Sequence, residues 1–140
     1  MIRVAFPATE SLDSHDPKKM SIRVQARGDY ELFETTKAHR ILVLGERWYA
    51  WVEGDQGEIL VPTDSDHQKQ RTLQQGRFFM VDFDDDPEFK DMPHLFLERE
   101  GRYAEYMVPK GLPGDGNAPN QIIETDHTLA KDELEGYLDV

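Results

Sequence analysis

The sequence predicts a mainly-β chain: about eight or nine short antiparallel strands curled into a small barrel or sandwich, with a C-terminal helix. The alternative is an α+β fold, a single antiparallel sheet with a helix on one face. Three observations predict strands. Residues 39–62 hold both tryptophans and three β-type runs (40–44, 47–53 and 58–61), punctuated by Gly45-Glu46 and Gly54-Asp55-Gln56-Gly57 as tight turns require. Residues 94–98 and 103–108 flank Arg99-Glu100-Gly101-Arg102, where Gly101 supplies the positive φ of a tight hairpin loop. Residues 20–26 alternate strictly, with Met20, Ile22, Val24 and Ala26 on one side.

The meander at 39–62 forms the centre of the sheet. Ile41-Leu42-Val43-Leu44 and Trp48-Tyr49-Ala50-Trp51-Val52 do not alternate, so both faces of these strands are apolar. One face fills the core and the other needs a second layer. Trp48 and Trp51 lie on opposite faces. Either both are covered within the chain, or one aromatic face (Tyr49 with Trp51, or Trp48) contacts a partner.

In chain order, residues 2–6 make a short strand stopped by Pro7, and the polar, turn-rich stretch 8–19 is a loop. Gly28-Asp29 reads as a hairpin turn between 20–26 and a strand over 30–35. Residues 63–76 change character: Thr63 and Asp66 resemble a capping box, the next residues favour helix, and Gly76 stands where a C-terminal cap belongs. The expectation there is a short exposed helix or an ordered loop. Residues 77–84 return to strand, with Phe79, Val81 and Phe83 on one face and Phe78, Met80 and Asp82 on the other. Residues 121–124 read as an edge strand. Asp126 or Thr128 then caps a helix whose buried stripe is Ala130, Leu134, Tyr137 and Leu138. The domain reading is an antiparallel β core over 1–108, a Gly/Pro-rich loop or linker over 109–120, and edge strand plus helix or tail over 121–140.

With 140 residues and 38% hydrophobic content the chain supports one globular domain. Its formal charge of −12 repels phosphate backbones, which disfavours general nucleic-acid binding and favours basic partners. The absence of cysteine excludes disulfides, Cys-ligated zinc, iron–sulfur clusters and a cysteine nucleophile. The first residues lack the apolar core of a signal peptide, and no run is long enough to span a membrane, so a cytoplasmic location is expected.

Chemistry is sparse. Asp82, Asp84, Asp85, Asp86 and Asp91 make an acidic, proline-bounded stretch, and carboxylates at i and i+2 on a strand point to one side. Asp82, Asp84 and Asp91 could therefore seat Ca²⁺ or Mg²⁺. As an EF-hand the stretch fails, because Pro87 and Pro93 occupy the positions that need Gly and Glu. No serine sits in a nucleophile elbow, and no dinucleotide or P-loop motif is present. With 28 acids in 140 residues, an acid beside a histidine carries little information, and the histidines read as scattered surface residues. An acid–base pair assembled across strands, such as Glu53 or Asp82 against His39 or His94, is invisible to sequence.

The functional expectation is a non-enzymatic, acidic protein-binding module needing no cofactor: an accessory or assembly factor, an inhibitor or a polyanion mimic. Its contact residues would be Tyr49, Trp51, Asp84, Asp85 and Asp86. The alternative is a cation- or small-ligand-binding β-barrel, with metal-dependent catalysis as one form of it, using the loop from Asp82 to Asp91.

Overall fold

The computed structural model describes residues 22–55, 57–83, 93–109 and 120–138. The strands are β1 (Ile22–Thr35), β2 (Arg40–Leu44), β3 (Arg47–Gly54), β4 (Gly57–Thr63), β5 (Lys69–Phe83), β6 (His94–Arg99), β7 (Arg102–Met107), β8 (Asn120–Gln121) and β9 (Ile123–Ala130). One helix, α1 (Lys131–Leu138), follows β9 directly. All strands join one sheet in the order β8-β4-β3-β2-β1-β5-β6-β7-β9, and every pairing is antiparallel. Only Ile122 separates β8 from β9. One extended run therefore borders β4 at its start and β7 along the rest, and the sheet curls back on itself as a barrel. The mainly-β expectation holds, and the single antiparallel sheet with a helix on one face, named in the alternative, is present as well.

The hairpin turns form as their residues dictate. Between β6 and β7, Glu100 (φ 54°) and Gly101 (φ 79°) both take positive φ. That pattern belongs to the two-residue turn whose twist matches a hairpin. The meander turns fall at Gly45-Glu46 and between Gly54 and Gly57, and their register pairs Leu42 with Tyr49 and Trp51 with Leu60.

Four local expectations are corrected. Gly28-Asp29 is not a turn: β1 runs straight through, pairing with β5 from Ile22↔Phe83 to Thr35↔Lys69. Gly28 lies opposite Phe78, whose ring a Cβ here would meet at 3.4 Å, an ordinary contact distance. Val24 and Ala26 do not share a face. A bulge at Gln25 sends Val24 to the outer face and Ala26 inward, and a bulge flips parity in this way.

The third correction concerns residues 69–76, which are strand rather than helix or loop, while 64–68 do form a loop. β4 runs to Thr63, a short loop follows, and β5 starts at Lys69. Pairing with β1 overrides the helical propensity of Gln, Lys and Arg there, aided by Lys69 and Arg71 bonding Glu31 and Glu34 across the strands. Gly76 is no helix cap either. It sits opposite Tyr30, where a Cβ would come within 3.0 Å of Glu98. Fourth, residues 123–130 extend as β9, so the helix begins at Lys131, later than Asp126 or Thr128 would place it. The expectations for residues 1–21, 84–92 and 110–119 lie outside the described residues.

Two apolar cores result. The barrel interior holds Tyr30, Leu32, Leu42, Leu44, Tyr49, Trp51, Leu60, Phe78, Met80, Leu95, Leu97, Tyr106, Val108 and Ile122. On the outer face of β5, β6, β7 and β9, α1 lays Leu134 and Leu138 over Phe79, Val81, Phe96, Tyr103 and Leu129. Ion pairs fix this helix at its margin: Lys131 to Glu98 at 2.7 Å and Arg77 to Glu135 at 3.7 Å, with the Tyr103 hydroxyl donating to Glu135 at 2.7 Å. Lys131 holds the Glu98 carboxyl below its ordinary pKa.

Candidate functional site

Of the residues expected to form a contact or metal site, the structure describes Tyr49, Trp51 and Asp82. Tyr49 is 1% exposed and Trp51 6%; both point into the barrel. The expectation that they present an aromatic contact face is therefore corrected: the parity that places them together faces the core. Trp51 meets Tyr106 edge-to-face at 5.7 Å and lies under the Arg40 guanidinium, while its indole N–H donates to Glu58. Trp48, on the outer face, is half-buried between Phe33 and the ring of His67.

Asp82 is buried and accepts from Arg23 at 2.8 Å and from Gln25, so it closes the β1–β5 end as a structural carboxylate. Asp84, Asp85, Asp86 and Asp91 lie outside the described residues. Among the described residues, no three His, Cys, Asp or Glu side chains are arranged to hold a metal ion.

The structure instead assembles a buried polar cluster on the outer face of β6, β7 and β9. Glu105, 1% exposed, stands between two imidazoles: His94 Nδ1 lies 2.7 Å from one carboxylate oxygen and His127 Nδ1 2.7 Å from the other. With the carboxylate ionised, both Nδ1 atoms must carry the proton, which fixes both rings in one tautomer. Burial alone would raise the Glu105 pKa, but the donors from His127 and His94 outweigh it and hold the group below its ordinary value. His94 and His127 are themselves buried, which overturns the surface reading for these two, while His39 is exposed as expected.

The cluster sits where the backbone ladder fails. β7 and β9 pair at Ala104↔Thr128 and again at Tyr106↔Glu124, so β9 carries extra residues opposite Glu105. Side chains bridge the gap: His127 reaches the Glu105 carboxylate, and the Thr125 hydroxyl donates to the Glu105 carbonyl at 2.8 Å. One signal could have found Glu105. It is the only acid in the apolar run Tyr103-Ala104-Glu105-Tyr106-Met107-Val108, and a charge in such a run needs a buried partner. Its partners lie 11 and 22 residues away, and no spacing rule reaches that far.

Two open clefts are lined by described residues. A groove of about 630 Å³ runs between Gln25-Ala26-Arg27 and the β2–β3 turn, floored by Leu44 and Phe78. A polar cleft of about 480 Å³ lies between residues 35–39 and 65–68. Its walls are tied together by Thr36 N–H donating to the Gln68 carbonyl at 3.1 Å, and the 35–39 wall is braced within itself by the Thr35 hydroxyl accepting from Lys37 and His39 N–H groups. Among the described residues no helix is long and apolar enough to cross a membrane. No protein-family model, no curated protein and no solved structure matches this chain.

Proposed function

We propose that this chain is a non-enzymatic binding module that engages a basic protein partner through its outer surface. The observation that carries this reading is the filled interior. Small β-barrels that carry a ligand keep a lumen for it. Here Tyr30, Tyr49, Trp51, Phe78 and Tyr106 occupy that space, which leaves the outside as the working surface. The charge of −12 supplies the sign of the partner and the means of steering it.

The buried acid–base cluster around Glu105 supports the same reading. Glu105 spends both carboxylate oxygens on His94 and His127, which is the economy of a structural clamp rather than of a group poised for proton transfer. The acidic stretch at Asp84, Asp85 and Asp86 is the first candidate for the contact. An exposed acidic interface gives salt-dependent binding, because the Debye length falls to roughly 3 Å at 1 M salt.

The test is affinity capture from the host lysate at low and high salt, with wild type beside a variant carrying Asp84→Lys, Asp85→Lys and Asp86→Lys. A single stoichiometric basic protein, lost at high salt and lost with the variant, is the expected result. Retention by the variant would remove the acidic stretch from the interface. A blank at both salts would overturn the reading.

A further inference from the structure

We propose that residues 120–122 form a strap that opens independently of the rest of the sheet and uncovers the Trp51 side of the barrel interior. The argument starts from unequal seams. β1 and β5 pair at thirteen positions, from Ile22↔Phe83 to Thr35↔Lys69, across three register shifts. The barrel is closed between β4 and β8 by Ile59↔Gln121 and Leu60↔Asn120, followed by one bond from the Ile122 N–H to the Glu58 carbonyl at 2.9 Å. Beyond Leu60, β4 has no second strand neighbour among the described residues, and Pro62 offers no N–H to gain one.

The strap is also the point where the chain changes partner. Ile122 belongs to neither strand: before it the run pairs with β4, after it with β7. On the β7 side the ladder is broken opposite Glu105, so the first residues of β9 (Ile123 and Glu124) are isolated from the pairing that resumes at Thr128. A short segment with few backbone bonds at one end and an interrupted ladder at the other opens at lower free energy than the sheet does.

What the strap covers gives the motion its consequence. Ile122 is a core residue, and the carbonyl it bonds belongs to Glu58, whose carboxylate takes the Trp51 indole N–H and lies 3.6 Å from Arg40. Leu60, the Trp51 neighbour on β4, pairs directly with Asn120. Lifting 120–122 therefore exposes an apolar, aromatic edge (Leu60, Trp51, Tyr106) while β1, β5, β6 and β7 remain assembled.

Residue-resolved native-state hydrogen exchange on the wild-type chain tests this without any substitution. The Ile122 amide is expected to exchange about 100-fold faster than the slowest β1–β5 amides, and with a small dependence on denaturant, the mark of a local opening. Equal exchange of Ile122 and those amides would overturn the strap.

A second arm uses the absence of native cysteine, so that any disulfide formed is the engineered one. Ile59→Cys with Gln121→Cys places two thiols on paired, half-exposed positions. Oxidation is expected to slow Ile122 exchange to the β1–β5 rate. In a Trp48→Phe background it should also lower acrylamide quenching of Trp51. Exchange of Ile122 that stays fast in the oxidised protein would show that its opening is not movement of the strap.

Discussion

The barrel interior and the outer face of β6, β7 and β9 are equally dry, yet different forces hold them. Inside, apolar side chains from β1 to β7, with Val108 and Ile122, interdigitate, and polar atoms are few. Outside, α1 covers one end of the face with leucines, while a buried carboxylate and two imidazoles carry the other. The interior is the product of parity and volume, and the outer cluster is the product of charge compensation. The first tolerates error in small increments. The second fails as a unit, because removing one member leaves a buried charge or buried donors without their partner.

The largest expected effect follows from that difference. Glu105→Ala should cost about 3–5 kcal/mol in urea denaturation, the range for breaking a buried ionic cluster by deleting one partner. Leu95→Ala, a deletion at an equally buried interior position, should cost about 2–5 kcal/mol through cavity formation. The two separate by pH rather than by size. The folded-state pKa of Glu105 lies below its ordinary 4.5, so its contribution is fully present above that value and is lost as pH falls through the folded value. Glu105→Ala should therefore flatten the acid limb of the stability profile, and Leu95→Ala should leave its shape unchanged. An acid limb with the wild-type shape in Glu105→Ala would mean that the cluster is not what titrates there.

How much was legible follows the same division. Strand parity read correctly wherever both faces are apolar: Tyr49 and Trp51 together, Phe79 with Val81, Phe78 with Met80. It failed where the polypeptide departs from strict alternation for a reason that sits on another strand. Gly28 imitates a turn but lies in mid-strand, paired with Phe78 on β5, and residues 69–76 imitate a helix because their neighbours on β1 supply the pairing energy. The bulge at Gln25 leaves no trace in composition. Glu105 was hidden because His94 and His127 meet it only after three strands are in register. The contact role given to Tyr49 and Trp51 rested on the supply of two apolar faces. The fold turned that pair inward, which is the ordinary fate of large aromatic residues.

Gly76 sharpens the comparison at an intermediate scale. It lies where β5 passes Glu98, the residue that joins the two regions: its backbone carbonyl serves the interior Tyr30, and its carboxylate serves Lys131 on α1. A Cβ at position 76 would meet the Glu98 Cβ and carbonyl oxygen at 3.0 Å. Gly76→Ala should thus cost about 1–3 kcal/mol, the range for overpacking a close contact. Part of the loss should appear as weakened docking of α1, read as faster hydrogen exchange in residues 131–138. Wild-type stability for Gly76→Ala would show that the β5–β6 crossing has slack at this point.

The smallest effects come from two interior tyrosines that differ only in the fate of their hydroxyl. Tyr30 donates to the Glu98 carbonyl at 2.6 Å and accepts from Gln74 at 2.7 Å, and burial pushes its pKa up to about 12. The Tyr49 hydroxyl is buried with no hydrogen-bond partner among the described residues. Removing a satisfied hydroxyl forfeits its bonds and strands their partners, so Tyr30→Phe should cost about 1 kcal/mol or somewhat more. Removing an unsatisfied one relieves a desolvation cost, so Tyr49→Phe should be neutral or stabilising by up to about 1 kcal/mol. The same atom is deleted in both variants, from rings of the same size in the same core. A difference in sign then isolates hydrogen bonding from packing, which comparison with the outer cluster cannot do. Equal losses at both positions would show that the Tyr49 hydroxyl is satisfied in solution, with a buried water as the simplest partner.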